Sequence, residues 1–207
     1  MLGKPLLGKP LSHADIARFL VERGLDVMVE KPITLDLREA DGLLALARSR
    51  GRIVQVGHVE RYNPAVEIRA TGLPVLTPLL DIANARIAFE GGCVANLTAS
   101  RVSPRKVRKL RIFAPELSVS VDMQARTVKA FHLSREKGEP EIVPSEVPVP
   151  DGEPLARELA DFTRAVRTRQ EPLVTGDSGR QALALAGEVL EAIAGHQRLA
   201  FQGIRAG

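Results

Sequence analysis

Two short stretches carry the residue types that could do chemistry in this chain. Glu30-Lys31-Pro32 comes directly after a β-branched run at residues 26–29, and a second cluster at residues 57–64 follows a similar run at residues 53–56. In α/β proteins a buried parallel strand carries the chain inward, and the reactive groups follow its carboxyl end. We therefore expect the two clusters to face one crevice and to form a shared ligand site.

Lys31 is the first candidate for chemistry. A lysine just past a buried strand can bring its ammonium group into a cleft, where it could take part in proton transfer. Pro32 would end the strand and fix the direction of the backbone at the lysine. The alternative interpretation is a solvated loop in which Lys31 makes an ordinary ion pair.

The second cluster offers three further functional groups. His58 supplies a titratable imidazole, Arg61 a guanidinium that can grip a phosphate through two hydrogen bonds, and Asn63 an amide suited to hydroxyl or carboxamide groups. Alternatively, Asn63-Pro64 begins a helix or a turn and Tyr62 simply packs. The sequence alone gives His58 no catalytic role.

The composition is that of an ordinary globular protein. The chain has 207 residues, of which 44% are hydrophobic and 26% are charged, enough for one large or two small domains. Its apolar runs are shorter than the roughly 18 residues of a membrane span, so we expect no membrane association. Cys93 is the single cysteine, which excludes an intrachain disulfide and a cysteine metal site and favours a cytoplasmic location. The net charge of +4 suits an anionic small molecule about as well as nucleic acid.

The residues before the first cluster predict a capped helix. Ser12 and Asp15 form a capping box at its start, and Gly24 ends it. The apolar stripe predicted for this helix is Ile16, Phe19 and Leu20.

A second helix is predicted between the two β-branched runs. Asp36 and Glu39 form another capping box, and Gly51 follows the last turn. The residues predicted to face the core are Ala40, Leu43, Leu44 and Ala47. The order helix, strand, helix, strand with short loops predicts a parallel sheet.

The second half of the chain is expected to form mainly antiparallel strands. Gly72, Pro74 and Pro78 punctuate residues 66–80 and indicate a domain junction. Strands joined by tight turns predict a meander, and their ranges are residues 82–89, 94–100, 107–113, 117–121 and 127–132. Residues 134–153 are expected to form a surface loop or an edge strand. Two amphipathic helices, at residues 155–166 and 183–193, close the chain. Asp177 or Ser178 is expected to cap the second, and Gly195 to end it.

These motifs carry a resemblance to a known family. The stretches DVMVEKP and IVQVGHVERYNPAV, with the capped helix between them, resemble the second half of the nucleotide-binding domain of the Gfo/Idh/MocA family of NAD(P)-dependent oxidoreductases. The stretch DIANARIAFEGGCVANLTASRVSPRKVRKLRIF is similar to the antiparallel sheet of a subset that acts on sugar nucleotides, of the UDP-N-acetylglucosamine 3-dehydrogenase type. The resemblance covers residues 11–194.

The resemblance implies a site built around Lys31. It matches the family's active-site lysine, expected near the nicotinamide and the reacting sugar hydroxyl, and Glu30 and Pro32 would line the cofactor side of the same turn. Arg61 and Asn63 match positions near cofactor and substrate. The implied cofactor is NAD or NADP, and the implied reaction is hydride transfer at a hydroxyl of a sugar or sugar nucleotide. A homo-oligomer through the C-terminal sheet is expected, and no metal site.

The predicted fold class is α/β plus α+β: a partial Rossmann-like parallel sheet followed by a mainly antiparallel sheet domain with helices. We place the remnant of a dinucleotide-binding domain at residues 1–65. Residues 66–207 would form a C-terminal α+β domain for substrate binding or oligomerisation.

Two features of the family pattern are absent from the sequence. The chain contains no GxGxxG turn, the element in which a helix N-terminus holds the pyrophosphate. Only residues 66–80 join the NPA helix to the DIANAR strand, where family members carry a long segment with an aspartate and a histidine. We therefore expect a relative that is truncated at the N-terminus, internally shortened and impaired in catalysis. The alternative is a non-catalytic relative that acts as an oligomerisation or binding module.

A basic run between residues 101 and 111 is the remaining candidate. Its members are Arg101, Arg105, Lys106, Arg108, Lys109 and Arg111. No aromatic residues interleave for base stacking, so we do not expect nucleic-acid binding. Alternation with Val107, Leu110 and Ile112 predicts instead a strand with a charged exposed face, which discourages edge pairing.

Overall fold

The computed structural model of the protein describes residues 12–56, 65–136, 138–145, 147–149 and 152–205, with side chains up to residue 199. The chain divides into two compact units, Met1–Val102 with Pro154–Gly207, and Ser103–Glu153. The domain boundary predicted at residue 65 stays a prediction. None of the helices in the described part of the chain combines the length and apolar character that a membrane span requires.

A two-stranded parallel sheet forms the centre of the first unit, as the sequence predicts. Strands β1 (Val27–Val29) and β2 (Val54–Val56) pair in parallel, with Val27 opposite Val54 and Val29 opposite Val56. Helix α1 (His13–Glu22) packs against β1 and against helix α2 (Leu37–Ser49). The buried core joins these elements and includes Ala17, Val21, Val27, Val29, Ile33, Ala40, Leu43, Leu44, Ala47, Val54 and Val56.

The predicted cap of α1 is confirmed, whereas its predicted apolar stripe is confirmed only for Leu20, which is partly buried against the core. Ser12 accepts a hydrogen bond from the Asp15 backbone N–H at 3.2 Å, and the Asp15 carboxylate accepts from the Ser12 N–H at 3.0 Å. Ile16 and Phe19 are about half exposed, whereas the buried residues are Ala14, Ala17 and Val21. The helix thus meets its neighbours through small residues, because α1 and α2 approach closely at that face.

The predicted start and core face of α2 are confirmed. Asp36 Oδ1 accepts a hydrogen bond from the Glu39 backbone N–H at 3.0 Å. All four residues predicted to face the core are buried. Gly51 follows the helix with a φ of 60°, in the left-handed region that suits glycine.

Residues 65–100 form a three-stranded antiparallel sheet in the order β3-β4-β5. Its strands are β3 (Ala65–Leu73), β4 (Ile82–Phe89) and β5 (Val94–Ser100). The ranges of β4 and β5 match the prediction. No strand was predicted in residues 66–80, yet Ala65–Leu73 pairs along its length with β4. A helix continuing from Asn63-Pro64 is excluded for the same reason.

A buried aspartate holds the loop between β3 and β4 in one conformation. Asp81 Oδ2 accepts hydrogen bonds from the backbone N–H groups of Val75, Leu76 and Thr77 at 2.7–2.8 Å. Its Oδ1 accepts from Thr77 Oγ1 at 3.0 Å, and Arg101 lies 3.6 Å away. The loop is therefore fixed even though Val75 and Leu76 project into solvent.

Two helices complete the first unit. Helix α3 (Pro154–Thr168) confirms the predicted first closing helix. Helix α4 (Gly176–Arg205) begins earlier than predicted, because its cap is Thr175, two residues before Asp177. Thr175 Oγ1 accepts a hydrogen bond from the Ser178 N–H at 3.2 Å. The helix continues past the predicted stop at Gly195. A glycine outside a left-handed conformation does not end a helix that still packs on a sheet, and α4 packs on β2 and β3.

The second unit contains a separate four-stranded antiparallel sheet, so the single predicted meander is in fact two sheets. Its strands, in the order β6-β7-β8-β9, are β6 (Lys109–Ala114), β7 (Leu117–Asp122), β8 (Thr127–Ser134) and β9 (Glu141–Ser145). Strand β9 confirms the edge strand that was one of the two alternatives for residues 134–153.

The basic run is only partly a strand. Lys109 and Arg111 lie on β6, whereas Arg101, Arg105, Lys106 and Arg108 precede it, as does the exposed Val107. Every residue of β6 is exposed, including Leu110 and Ile112, which were expected to alternate with the charges as the buried side. The predicted fold class is confirmed: a parallel α/β piece with antiparallel sheets and four helices in the described residues.

Candidate functional site

The carboxyl ends of β1 and β2 lie side by side, as the sequence predicts. Val29 and Val56, the last residues of the two strands, are directly paired. Glu30 and Lys31 therefore leave the sheet at the edge where β2 also ends. This is the position at which α/β proteins bind ligands.

Lys31 lies on a short arch between two buried residues. Val29 precedes it and Ile33 follows it, and Ile33 is only 1% exposed. The buried Thr34 fixes the far side of the arch, because its hydroxyl donates a hydrogen bond to the Asp36 carbonyl at 2.6 Å. The Lys31-Pro32 peptide bond is cis. The backbone of the lysine is thus held from both sides while its side chain is exposed.

The side chains of the arch face solvent. Glu30, Lys31 and Pro32 are all exposed. Within the described part of the chain, neither Glu30 nor Lys31 takes part in a hydrogen bond or an ion pair. The ion pair of the alternative interpretation is therefore not formed with any described residue. Lys31 is accessible to a ligand approaching this edge of the sheet.

The second predicted cluster cannot be placed. Arg61 and Asn63, together with His58, fall in residues 57–64, which lie outside the described residues. Their roles next to Lys31 stay predictions.

An aspartate that sequence reasoning did not assign holds the two strands in register at their other end. Asp26 Oδ1 accepts a hydrogen bond from the Ile53 backbone N–H at 2.8 Å. Arg169, just beyond α3, donates to both carboxylate oxygens of Asp26 at 2.9 and 2.8 Å. Asp26 thus fixes the strand pair that carries Lys31. Its only signal in the sequence is its position one residue before a β-branched run.

A buried glutamine in the middle of β2 also escaped prediction. Gln55 is 1% exposed, and its Nε2 donates to the Glu158 carbonyl of α3 at 3.2 Å. Its Oε1 has no hydrogen-bond partner among the described residues. Gln55 also bridges to Thr175, so the chain before α4 runs alongside β2. In the sequence, Gln55 was marked only as a polar residue between Val54 and Val56 in an otherwise apolar strand.

A cavity of about 440 Å³ lies elsewhere, over the three-stranded sheet. Ala70, Ala85 and Leu97 occupy one row of that sheet, and His196 of α4 lines the same cavity. None of the predicted site residues that the structure describes contributes to it. The described residues also contain no group of three or more histidine, cysteine, aspartate or glutamate side chains placed to hold a metal ion.

The described residues fit one end of a nicotinamide cofactor better than the other. The exposed arch at Lys31 lies where a planar ring and a reacting hydroxyl could approach the edge of the sheet. The pyrophosphate would need free N–H groups at a helix start. Three of the helices, α1, α2 and α4, however, already carry acidic groups at their starts. These are Asp15 in α1, Glu39 and the capping Asp36 in α2, and Asp177 in α4.

Comparison with known proteins supports the predicted resemblance. Residues 7–58, which include β1, the arch and β2, match the model of the oxidoreductase family described as Gfo/Idh/MocA with an NAD-binding Rossmann fold. The predicted resemblance to the Gfo/Idh/MocA family is confirmed over this segment. The predicted nicotinamide cofactor agrees with the description of this family.

Similarity to one relative extends over most of the chain. UDP-N-acetylglucosamine 3-dehydrogenase from Acidithiobacillus ferrooxidans is 27% identical over 236 aligned positions, covering 88% of this chain and 75% of the relative. Its solved structure superimposes with a TM-score of 0.78 over 87% of this chain and 75% of that chain, at 26% identity. The alignment is longer than the 207 residues of this chain, so the relative contains segments without a counterpart here. That excess agrees with the predicted internal shortening.

Similarity to two other proteins supports less. The scyllo-inositol 2-dehydrogenase (NAD+) of Bacillus subtilis is 37% identical over 54 residues, which is 26% of this chain and 16% of that protein. The aldose-aldose oxidoreductase of Caulobacter crescentus has a TM-score of 0.72 over 89% of this chain and 74% of that chain, at 16% identity. The latter supports the fold alone.

Proposed function

We propose that the chain acts as an NAD(P)-dependent oxidoreductase that transfers a hydride between the cofactor and a hydroxyl of a sugar or sugar nucleotide. The observation that carries this proposal is the arch at Lys31, which holds an accessible lysine at the carboxyl edge of a parallel strand pair inside the segment that matches the family. UDP-N-acetylglucosamine is the first substrate to test, because a relative that is similar over most of the chain is named for it.

Each residue of the arch has a separate task in this proposal. Lys31 would hold or move the proton of the sugar hydroxyl, since its Nζ is the accessible basic group on the arch. Glu30 and Pro32 would orient the nicotinamide side of the ligand, and Arg61 and Asn63 would add contacts to cofactor and substrate. The nicotinamide, when bound, supplies the acceptor for the hydride.

Calorimetric titration with NADH and NADPH tests the binding half of the proposal. We expect a saturable signal with at least one of the two cofactors, because the arch leaves the edge of the sheet open to a ring. Absence of binding at millimolar concentrations of both cofactors, by protein that circular dichroism shows to be folded, would contradict it.

Substitution of Lys31 tests the chemical half. Lys31→Ala should retain cofactor binding and lose turnover of the sugar nucleotide by about 10²–10⁴-fold, the usual scale for removing a general acid or base. Lys31→Arg should fall almost as far, because arginine stays protonated. Lys129→Ala, which removes an exposed lysine from β8, is the matched control and should leave turnover unchanged. Equal activity of Lys31→Ala and wild type excludes the assigned role.

A non-catalytic binding or oligomerisation module is the second candidate. It is favoured by the acidic groups already placed at the N-termini of α1, α2 and α4. It predicts a folded protein that binds neither cofactor, so the same titration separates the two candidates. We also expect assembly through the C-terminal part of the chain in either case.

A further inference from the structure

The segment that carries Lys31 has few contacts to hold its backbone. Residues 31–35 lie between β1 and α2 and belong to neither element. Among the described residues, no hydrogen bond between two backbone groups involves this segment. A segment without such bonds opens easily unless its side chains hold it in place. The buried side chains of the arch therefore decide where the Lys31 backbone lies.

Two side chains anchor the arch. Ile33 belongs to the buried core, but apolar burial is non-directional and does not fix how the chain enters and leaves the anchor. Thr34 is 2% exposed, and its hydroxyl donates a hydrogen bond to the Asp36 carbonyl at 2.6 Å. Among the described residues, this is the one hydrogen bond that residues 31–35 make. Thr34 is thus the directional anchor of the arch.

The acceptor of this hydrogen bond belongs to a fixed element. The Asp36 carbonyl also accepts the first hydrogen bond of α2, from the Ala40 N–H at 3.3 Å. The Asp36 side chain caps the same helix through the Glu39 N–H at 3.0 Å. Four side chains of α2 are buried in the core, so the start of the helix is held firmly. The Thr34 hydroxyl therefore ties the arch to a point that does not move.

Little freedom remains between this tie and the lysine. Only Pro32 and Ile33 separate Lys31 from Thr34. The ring of Pro32 fixes its φ, and the side chain of Ile33 is buried at 1% exposure. Release of Thr34 would therefore shift the backbone of Lys31. A shift of about 1 Å at a reacting group can cost about 10²-fold in rate.

We propose that Thr34 is a positioning residue for Lys31. Its buried hydroxyl holds the arch against the start of α2, and the Lys31 side chain then extends from one backbone position toward the substrate hydroxyl. Thr34 itself is buried and acts only through the arch. The expected effect on turnover rests on the proposed hydride-transfer function, whereas the tie between the arch and α2 does not.

Removal and restoration of the hydroxyl test the proposal. Thr34→Val keeps the branched shape, and the Asp36 carbonyl keeps its hydrogen bond from Ala40, so we expect the variant to fold. Its kcat for the sugar nucleotide should fall by about 10–100-fold while KM changes less than about threefold, because the binding groups are unchanged. Thr34→Ser restores the donor and should return kcat to within about threefold of wild type.

Thr163→Val is the matched control. The Thr163 hydroxyl donates to the Leu159 carbonyl within α3 at 2.8 Å, so this variant loses the same kind of hydrogen bond elsewhere in the first unit. It should leave kcat and KM unchanged. If Thr34→Val does not fold by circular dichroism, Thr34→Ala takes its place, since it also lacks the hydroxyl, and should show the same loss of kcat.

Hydrogen exchange of the arch provides a readout that needs no turnover. The amides of residues 31–35 should exchange about tenfold faster in Thr34→Val than in wild type or Thr34→Ser, while those of α2 keep their rates. A folded Thr34→Val with wild-type exchange of the arch or wild-type kcat overturns the proposal. So does a Thr34→Ser variant as impaired as Thr34→Val. A wild-type chain without turnover overturns the hydride-transfer function, and the exchange rates then decide the tie alone.

Discussion

At the scale of single residues, Asp81 shows how one buried carboxylate fixes a segment. Backbone hydrogen bonds from Val75 and Thr77, with others from Leu76 and the Thr77 hydroxyl, lower the pKa of Asp81 far below its ordinary value, against the opposing effect of burial. A pKa depressed in the folded state means that Asp81 stabilises the fold fully above its unfolded pKa of about 4. This stabilisation is lost as the pH falls below that value.

Asp81→Asn should therefore lower the melting temperature most at neutral pH. The amide nitrogen of asparagine is a donor and would face backbone N–H groups that also donate, so the loop loses acceptors. Between about pH 4 and pH 2 the difference between the variant and wild type should shrink, because Asp81 becomes protonated in the unfolded chain while the folded protein keeps its carboxylate ionised. Thermal unfolding followed by circular dichroism across this range is the measurement. Glu67→Gln, at an exposed pair with Arg69, is the control and should change little.

Lys31 and Asp26 mark what could and could not be predicted at this scale. The position of Lys31 follows from local features, namely a β-branched run that ends in a charged residue and a proline. Asp26 could not be assigned, because its partner Arg169 is 143 residues away and no local pattern joins them. Gln55 was hidden for a similar reason, since its hydrogen bond reaches α3 across 103 residues.

At the scale of elements, the start of α4 meets β2 through glycines. A Cβ on Gly179 would lie 2.7 Å from Val56 Cγ2, and one on Gly176 would collide with Leu44. These glycines allow the helix to begin directly on the strand pair that carries the candidate site. Gly187, farther along the same helix, has nothing within 4 Å of such a Cβ.

The same substitution at two positions of α4 should have opposite effects. Gly179→Ala should lower the free energy of unfolding by about 1–3 kcal/mol, because the Val56 side chain must move or the helix must shift. Gly187→Ala should raise it by about 0.5–1 kcal/mol, because alanine favours a helix and meets open space. Urea unfolding of the two variants measures both. Equal changes of the same sign would contradict the close packing of α4 on β2.

Helices and strands were predicted well where a local sequence pattern determines their bounds. They were predicted poorly where packing against distant segments determines the end or the buried face of an element. Strands β4 and β5 match their predicted ranges, since alternation and tight turns mark both ends. The stripe of α1 was misassigned because hydrophobicity pointed to Ile16 and Phe19, whereas the close approach of α2 selects Ala14, Ala17 and Val21. The end of α4 was misassigned because packing on β3 carries the helix past Gly195.

At the scale of the whole molecule, the two units differ in how much they bury. The largest fully buried side chains, which include Ile33, Leu43, Ile87 and Ile193, all belong to the first unit. The second unit relies mainly on strand pairing, and Ala130 is the one buried hydrophobic residue among those described there. Burial of apolar side chains supplies most of the stability of a fold, so the first unit should be the more stable of the two.

Hydrogen exchange should reveal this difference. Amides of β1, β2 and α2 should exchange slowest, and those of β6 to β9 should exchange faster. Mass spectrometry of peptides from both units provides the measurement. Equal protection of the two units would contradict the assignment.

The division into two sheets was not predictable from the second half of the sequence. The turn signals between residues 81 and 133 are alike, and nothing in them shows that β5 and β6 lie in different sheets. Which strands pair depends on long-range register, which a single sequence does not reveal.

Helix α4 affects where the chain can gain or lose residues and still fold. It contacts β2 through Gly179 and Val56, and it contacts β3 where Gln197 donates a hydrogen bond to the Gly72 carbonyl at 2.8 Å. The parallel pair and the three-stranded sheet are thus joined by a helix from the far end of the chain as well as by the segment between them. Insertions or deletions in that segment cost only a small change in loop entropy while the helix keeps both sheets in place. We therefore expect the connection between β2 and β3 to tolerate the gain or loss of whole segments.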